Sequence, residues 1–224
     1  MRIIARSSPS TRRASSSRRL ASPRACCAAR TGAFFDALVS GPQSSWLFGD
    51  PVDGRLSLFE IRGLGRSVVS RAQYLPLARA GEGAFAASSS CAAVADDGAV
   101  LLVTTGTSYP PRLLRFDPAR LATRETLLPL AADAPSRGAF SVATRGDVVV
   151  VVGGDYREPG SSVGCAAFSR DGGVSFTPAR GVSGFRSAVD APPGYPGCFV
   201  TMGPEGAEVS IDDRLDGGAF ACRD

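Results

Sequence analysis

Apolar runs of about four to eight residues, separated by clusters of Gly, Pro, Ser and Asp, fill the chain from about residue 34 onward. No stretch of useful length carries a helical period, so the pattern predicts short strands joined by turns. Counted from Phe35, Phe85, Phe140 and Phe185, one programme recurs at spacings of 50, 55 and 45 residues. Each unit opens with a small-residue strand: FFDALV, AFAASS, AFSVAT, FRSAVD. A second strand then ends in glycine, as in WLFGDP, LLVTTGTS, VVVVVGGD and CFVTMGPE, and a third runs into a tight turn. That period is the length of a four-stranded unit, and the chain reads as four of them.

The third-strand turn is clearest at Ser169–Phe176, Ser-Arg-Asp-Gly-Gly-Val-Ser-Phe, which matches S-x-D-x-G-x-[ST]-[WF] at every fixed position. This is the Asp-box pattern. Its residues suit a hairpin turn: Gly173 tolerates positive φ, Ser169 and Asp171 accept hydrogen bonds from turn amides, and Phe176 packs between neighbouring units. Ile61–Val68 (IRGLGRSV) holds a remnant, Arg115–Pro118 keeps only an acid, and Ser210–Phe220 fits loosely, with Arg214 where glycine is expected. The expected fold is therefore an all-β propeller of about four blades spanning 33–224, with Trp46 as inter-blade core.

Composition narrows the chemistry. The 26 glycines and 16 prolines among 224 residues fit many turns. Histidine is absent, which excludes histidine-based triads and metal sites. The net charge of +4 conceals an asymmetry: residues 1–32 hold eight arginines, seven serines and no acid, while the rest is net negative. A basic, Ser-rich, acid-free start without an apolar run of roughly 7–15 residues resembles an organelle transit peptide more than a secretory signal. A disordered tail or a misplaced start codon are the alternatives, so the compartment stays open between plastid or mitochondrion and a bacterial exported or cytoplasmic setting. With no aromatic residue before Phe34, the arm is not expected to bind nucleic acid. No segment approaches the roughly 20 apolar residues of a membrane span. Cys91, Cys165 and Cys198 read as small buried strand residues and Cys222 as a candidate tie for the chain end; no C-x-x-C occurs.

The ordered series FFDA, GDPVDGR, GEGAFAAS, TGT, RGAFSVA, VVGGDY, SRDGGVSF and SGFRSAV resembles the bacterial sialidase-like propeller proteins often labelled "oxidoreductase", distant relatives of photosystem II assembly-factor propellers. The resemblance covers about four fifths of the chain. It implies a propeller and an assembly or binding role. No strand-linked G-x-G-x-x-G and no flavin motif supports redox chemistry, and no cofactor is expected. Family members usually carry further blades before the FFDA motif. A ring of about six or seven blades shortened to four would leave two blade faces open, which predicts a partner, self-association or a tighter closure, with a truncated gene model as the alternative.

Blade topology sorts the polar loops. The starts of first strands and the loops between second and third strands share one end, the top, where rigid propellers present ligand sites. There lie Asp50 and Asp53 in GDPVDGR, Tyr109, and Asp155, Tyr156, Arg157 and Glu158 in GGDYREP. Asp36 and Arg186, each one residue after its Phe, are aligned with the axial mouth. Three readings follow. A non-catalytic module would offer Arg186, Arg157, Tyr156 and the acidic loops to a protein partner. A sialidase-type hydrolase or carbohydrate-binding propeller would need three arginines, a Tyr–Glu pair and an Asp acid; Arg186, Arg157, Tyr156, Glu158 and Asp36 supply candidate types. A cation site would use Asp50, Asp53 and Asp155, against turn capping by the same acids. Arg186 has a structural alternative, an ion pair with Asp190 or Asp36.

Overall fold

The computed structural model describes residues 32–210 apart from 64, 87, 88 and 108. Residues 1–31 of the basic leader, the loose turn beyond Ser210, and Cys26, Cys27 and Cys222 lie outside the described residues. The described chain is all-β: four small antiparallel sheets and almost no helix. Sheet 1 is β1 (Phe35–Ser40), β2 (Ser45–Val52), β3 (Arg55–Arg62) and β4 (Ser67–Ser70). Sheet 2 is β5 (Ala92–Val94), β6 (Val100–Thr104), β7 (Arg112–Asp117) and β8 (Ala122–Leu127). Sheet 3 is β9 (Arg137–Arg145), β10 (Val148–Asp155), β11 (Ala166–Ser169) and β12 (Thr177–Pro178). Sheet 4 is β13 (Ala188–Asp190), β14 (Phe199–Gly203) and β15 (Gly206–Ser210).

Every sheet is a meander in chain order. The sheets pack in series through their first strands, β1 on β5, β5 on β9 and β9 on β13. Val39, Ala93, Val142 and Val189, one from each first strand, line a common cavity of about 280 Å³. One expected first strand differs: Ala84, Phe85 and Ala86 lie outside any strand, and β5 begins at Ala92. Gly83, ahead of Phe85, instead bridges to Thr105, and Ser89 turns the chain at φ +52°.

Three glycines place sheets 1, 3 and 4 in a common register. A Cβ on Gly49, Gly153 or Gly203 would sit 2.1, 1.9 or 2.2 Å from the carbonyl oxygens of Phe34, Gly138 and Phe185. In these three sheets the end of the second strand therefore lies against the segment that opens the first, an approach only glycine permits. In this register Asp36 corresponds to Phe140, and each is the extra residue of a bulge, skipped between Phe35/Ala37 and between Ala139/Ser141. Arg186 corresponds instead to Phe35. The sequence alignment of Asp36 with Arg186 is off by one, because the sequence shows the phenylalanines while the backbone aligns on the glycines.

Two apolar layers join the sheets. Phe48, Leu58 and Trp46 pack with Leu102, Leu114 and Phe116 of sheet 2, together with Val142, Val151 and Ala167 of sheet 3. Trp46 meets Phe116 edge-on at 5.7 Å. The opposite face of sheet 3, Val150, Val152, Ala166 and Phe168, packs on Val189 and Phe199 of sheet 4. Cys91 and Cys165 are buried in these layers, and burial first, then Asp36, pushes the Cys91 thiol up to about 12. Cys198 is half-buried and free.

The Ser169–Phe176 turn docks sheet 3 onto sheet 2. Ser169 Oγ accepts from the Gly173 amide at 2.8 Å, and Asp171 Oδ1 accepts from the Val174 and Ser175 amides at 2.9 Å each. Hydrogen bonds from Ser169 and Ser175 hold the Asp171 carboxyl well below the usual carboxylate range. Thr126 of β8 donates to the Gly173 carbonyl, Arg115 of β7 donates to that of Gly172, and Phe176 packs against the apolar layer shared by sheets 1, 2 and 3. Gly173, at φ +84°, would place a Cβ 2.6 Å from Leu113 Cδ2; Gly98, also at +84°, faces open space. Gly173→Ala is therefore expected to cost about 1–3 kcal/mol more than Gly98→Ala, since both carry the strain and only one overpacks. Urea melts of the two variants read the difference.

Candidate functional site

The loops after β2, β6 and β10 and the starts of the first strands meet at one end of the sheets. Gly83 sits against the Asp50 carboxylate, Thr105 donates to the Arg137 carbonyl at 3.0 Å, and Phe185 and Gly184 lie against Gly154 and Pro159. Three aromatic rings form the floor. Phe85 stacks on Phe140 at 3.7 Å, Phe140 meets Phe185 edge-on at 4.7 Å, and Tyr156 abuts the first two at 6.2 and 6.3 Å. The bulge at Phe140 turns its ring into this cluster.

Two tyrosines are half-exposed at this end, each with a guanidinium beside its ring. Tyr156 is 44% exposed with Arg157 at 5.9 Å, and Tyr109 is 47% exposed with Arg79 at 5.5 Å. Arg157 and Glu158 are exposed beside Tyr156. Asp155 is buried: Arg137 donates to it at 2.8 Å and the Arg157 amide at 2.9 Å. Arg137 chiefly, against a smaller cost of burial, holds the Asp155 carboxyl down to about 2. The same guanidinium reaches Asp133 and Glu158, so Arg137, which the sequence reading missed, organises this loop. Its signal was an arginine opening a strand of an otherwise acidic region.

Asp36 is 3% exposed, and its Oδ2 has no hydrogen-bond partner. Burial, with the Asp50 carboxylate nearby, pushes its carboxyl up to about 7. It is the group at this end whose charge changes near neutrality. Asp53 occupies the β2–β3 hairpin at φ +51° beside Gly54 at +76°, a turn role. No three Asp, Glu, His or Cys side chains gather for a cation among the described residues, so Asp50, Asp53 and Asp155 do not form the cation site considered from sequence.

Arg186 is not at the mouth. It is fully buried inside sheet 4, with Nε and Nη2 donating to the two carboxylate oxygens of Glu208 and Nη2 also to Ser183 Oγ at 2.6 Å. Thr201 donates to the same carboxylate at 3.0 Å. Burial opposes ionisation of Glu208, but these donors outweigh it and hold the carboxyl down to about 2. Its partner is thus neither Asp190 nor Asp36, the two acids the sequence offered across units. Arg112 repeats the device in sheet 2, gripping Glu82 through Nε and Nη2 at 2.6 Å each, with Thr104 donating to the carboxylate. Bidentate pairing satisfies arginine's fork and leaves it little to offer a ligand.

At the opposite end, a cavity of about 370 Å³ is lined by Ser44, Trp46, Glu60, Arg62 and Asp96. Its buried acid is already taken, because Glu60 accepts from Ser44 at 2.8 Å and pairs with Arg71 and Arg62.

No helix among the described residues is long and apolar enough to cross a membrane. No protein-family model matches the chain, and no curated protein matches it. Among solved structures, the chain is similar to the computationally designed Ika4 protein, with 12% identity and TM-score 0.43 over 80% of this chain and 92% of that one. It is also similar to a Mycobacterium tuberculosis puromycin-hydrolyzing peptidase, with 17% identity and TM-score 0.40 over 74% of this chain, which spans 25% of the peptidase.

Proposed function

We propose that the four sheets are blades of a sialidase-like propeller and that the protein is a non-catalytic binding module, engaging a protein partner through Tyr109, Tyr156 and Arg157. The observation that carries this reading is the pair of half-exposed tyrosines, each beside a guanidinium and, for Tyr156, set on a fixed aromatic floor. Tyr and Arg supply large contact area with directional hydrogen bonds, and rings already packed lose little freedom on binding. The common cavity lined by all four first strands, the shared register of sheets 1, 3 and 4 and the Asp-box geometry support the blade arrangement.

The sialidase reading is weaker on the same geometry. A carboxylate clasp needs free arginines, and Arg186 and Arg137 are already committed to Glu208 and Asp155. Immobilised protein is expected to retain a partner from an extract of its source cells. Tyr156→Ala should weaken that retention by about 30-fold or more, the effect of losing a hot-spot aromatic, with an unchanged melting temperature. Equal retention by wild type and variant would count against the site. Turnover of a fluorogenic sialoside or aryl glycoside, lost in Tyr156→Phe, would replace the binding reading with an enzymatic one.

A further inference from the structure

Each sheet in the series has two faces with separate duties. Opposed residues on an antiparallel ladder point to one face, so the pairings assign them directly. The leading face, turned toward the preceding sheet, carries Val142, Val151 and Ala167 in sheet 3 and Val189 and Thr201 in sheet 4; all five are buried. The trailing face carries Ala37, Phe48 and Leu58 in sheet 1 and Ser141, Val152 and Ala166 in sheet 3, again all buried.

The two ends of the series break this rule. Register places Leu38 and Leu47 of sheet 1 where Val189 and Thr201 stand in sheet 4, yet Leu38 is 59% exposed. Leu47 and the adjoining Phe59 are only half-buried, and a cavity of about 260 Å³ opens beside Phe59 and Ser57. On sheet 4, Ala188, Met202 and Ala207 stand where Ala37, Phe48 and Leu58 are sealed in sheet 1, yet Met202 is 56% exposed and Ala207 is exposed. One open end therefore has the geometry of a leading face and the other that of a trailing face. Each is the kind of face that the other buries within the series.

We propose that a second copy of this chain covers both. The trailing face of sheet 4 in one copy packs on the leading face of sheet 1 in the other, with Met202 set toward the Leu38, Leu47 and Phe59 row. The contact is head-to-tail, and two copies related by a two-fold axis make it twice, closing a ring and leaving neither face in water. This inference stands independently of the tyrosine site, which lies on the loops and not on the sheet faces.

The test is the mass in solution of the full chain and two variants, by light scattering across a concentration series. Wild type is expected at about twice 23.1 kDa. Leu38→Glu and Met202→Glu each place a charge on one face at an already exposed position and should give monomers with near-wild-type melting curves. Mixed together, the two monomeric variants should re-form a dimer, because one of the two contacts then joins the intact sheet 4 face of the first to the intact sheet 1 face of the second. A monomeric wild type at all concentrations would overturn the proposal. So would a ladder of growing species, which means the contact does not close, or a dimer broken by Leu38→Glu but not by Met202→Glu, which means like faces pair.

Discussion

Asp36→Asn is expected to raise stability at pH 8 by on the order of 2–4 kcal/mol, or roughly 5–10 °C in melting temperature. The carboxyl is buried with an unpartnered oxygen, and its pKa stands at about 7 in the folded protein against the ordinary 3.8. A folded value above the unfolded one means that the folded state holds the proton more tightly. The stabilisation this gives is fully present below about pH 4 and is lost as pH rises through 7. Above that pH wild type must either keep a buried charge without a partner or take up a proton from dilute solution. Asn keeps the shape and removes the charge. The difference between variant and wild type should therefore be near zero at pH 4, grow between pH 4 and 7 and level off above. Denaturant melts across that range measure it. A difference independent of pH would mean that Asp36 finds a compensating partner. Other carboxylates, Asp155, Asp171 and Glu208 among them, slope the other way, so only the difference isolates Asp36.

Arg186→Ala is expected to cost about 3–5 kcal/mol, because it leaves the Glu208 carboxylate buried with only Ser183 and Thr201 as donors. The loss should shrink on acidification, as Glu208, freed of its guanidinium, takes up a proton at a higher pH than the value near 2 it has in wild type. Arg157→Ala, at an exposed guanidinium beside Tyr156, should change stability by less than about 0.5 kcal/mol and act on binding alone. The two arginines thus separate a packing role from a surface role. Chemical melts at pH 4 and pH 7 distinguish them, and an Arg186→Ala protein as stable as wild type would place that side chain back among surface residues.

Much of the architecture was legible because its signals are local. Runs such as VVVVVGGD and WLFGDP announced β10 and β2, and the Ser169–Phe176 spacing announced a turn whose Ser169 and Asp171 side chains accept from amides within the same eight residues. The bulges at Asp36 and Phe140 were not legible. A bulge shifts side chains by one position without changing composition, so an alignment on phenylalanine put Arg186 at the mouth when the glycine contacts put it inside sheet 4. The partners of the buried arginines were hidden for a related reason. Glu208 is 22 residues from Arg186, and Glu82 is 30 from Arg112 on a segment with no strand of its own. Tyr109, Tyr156 and Arg157 are exposed, as expected of side chains in Gly- and Pro-flanked loops.

The most direct test of the binding site is position-specific cross-linking. A photoreactive phenylalanine placed at Tyr156, at Tyr109 and, as a control, at Val174 in the turn at the opposite end of sheet 3 would be irradiated in an extract of the source cells. The account predicts one common protein joined to positions 156 and 109 and absent at 174. Equal cross-linking from all three positions, or from 174 alone, would contradict it.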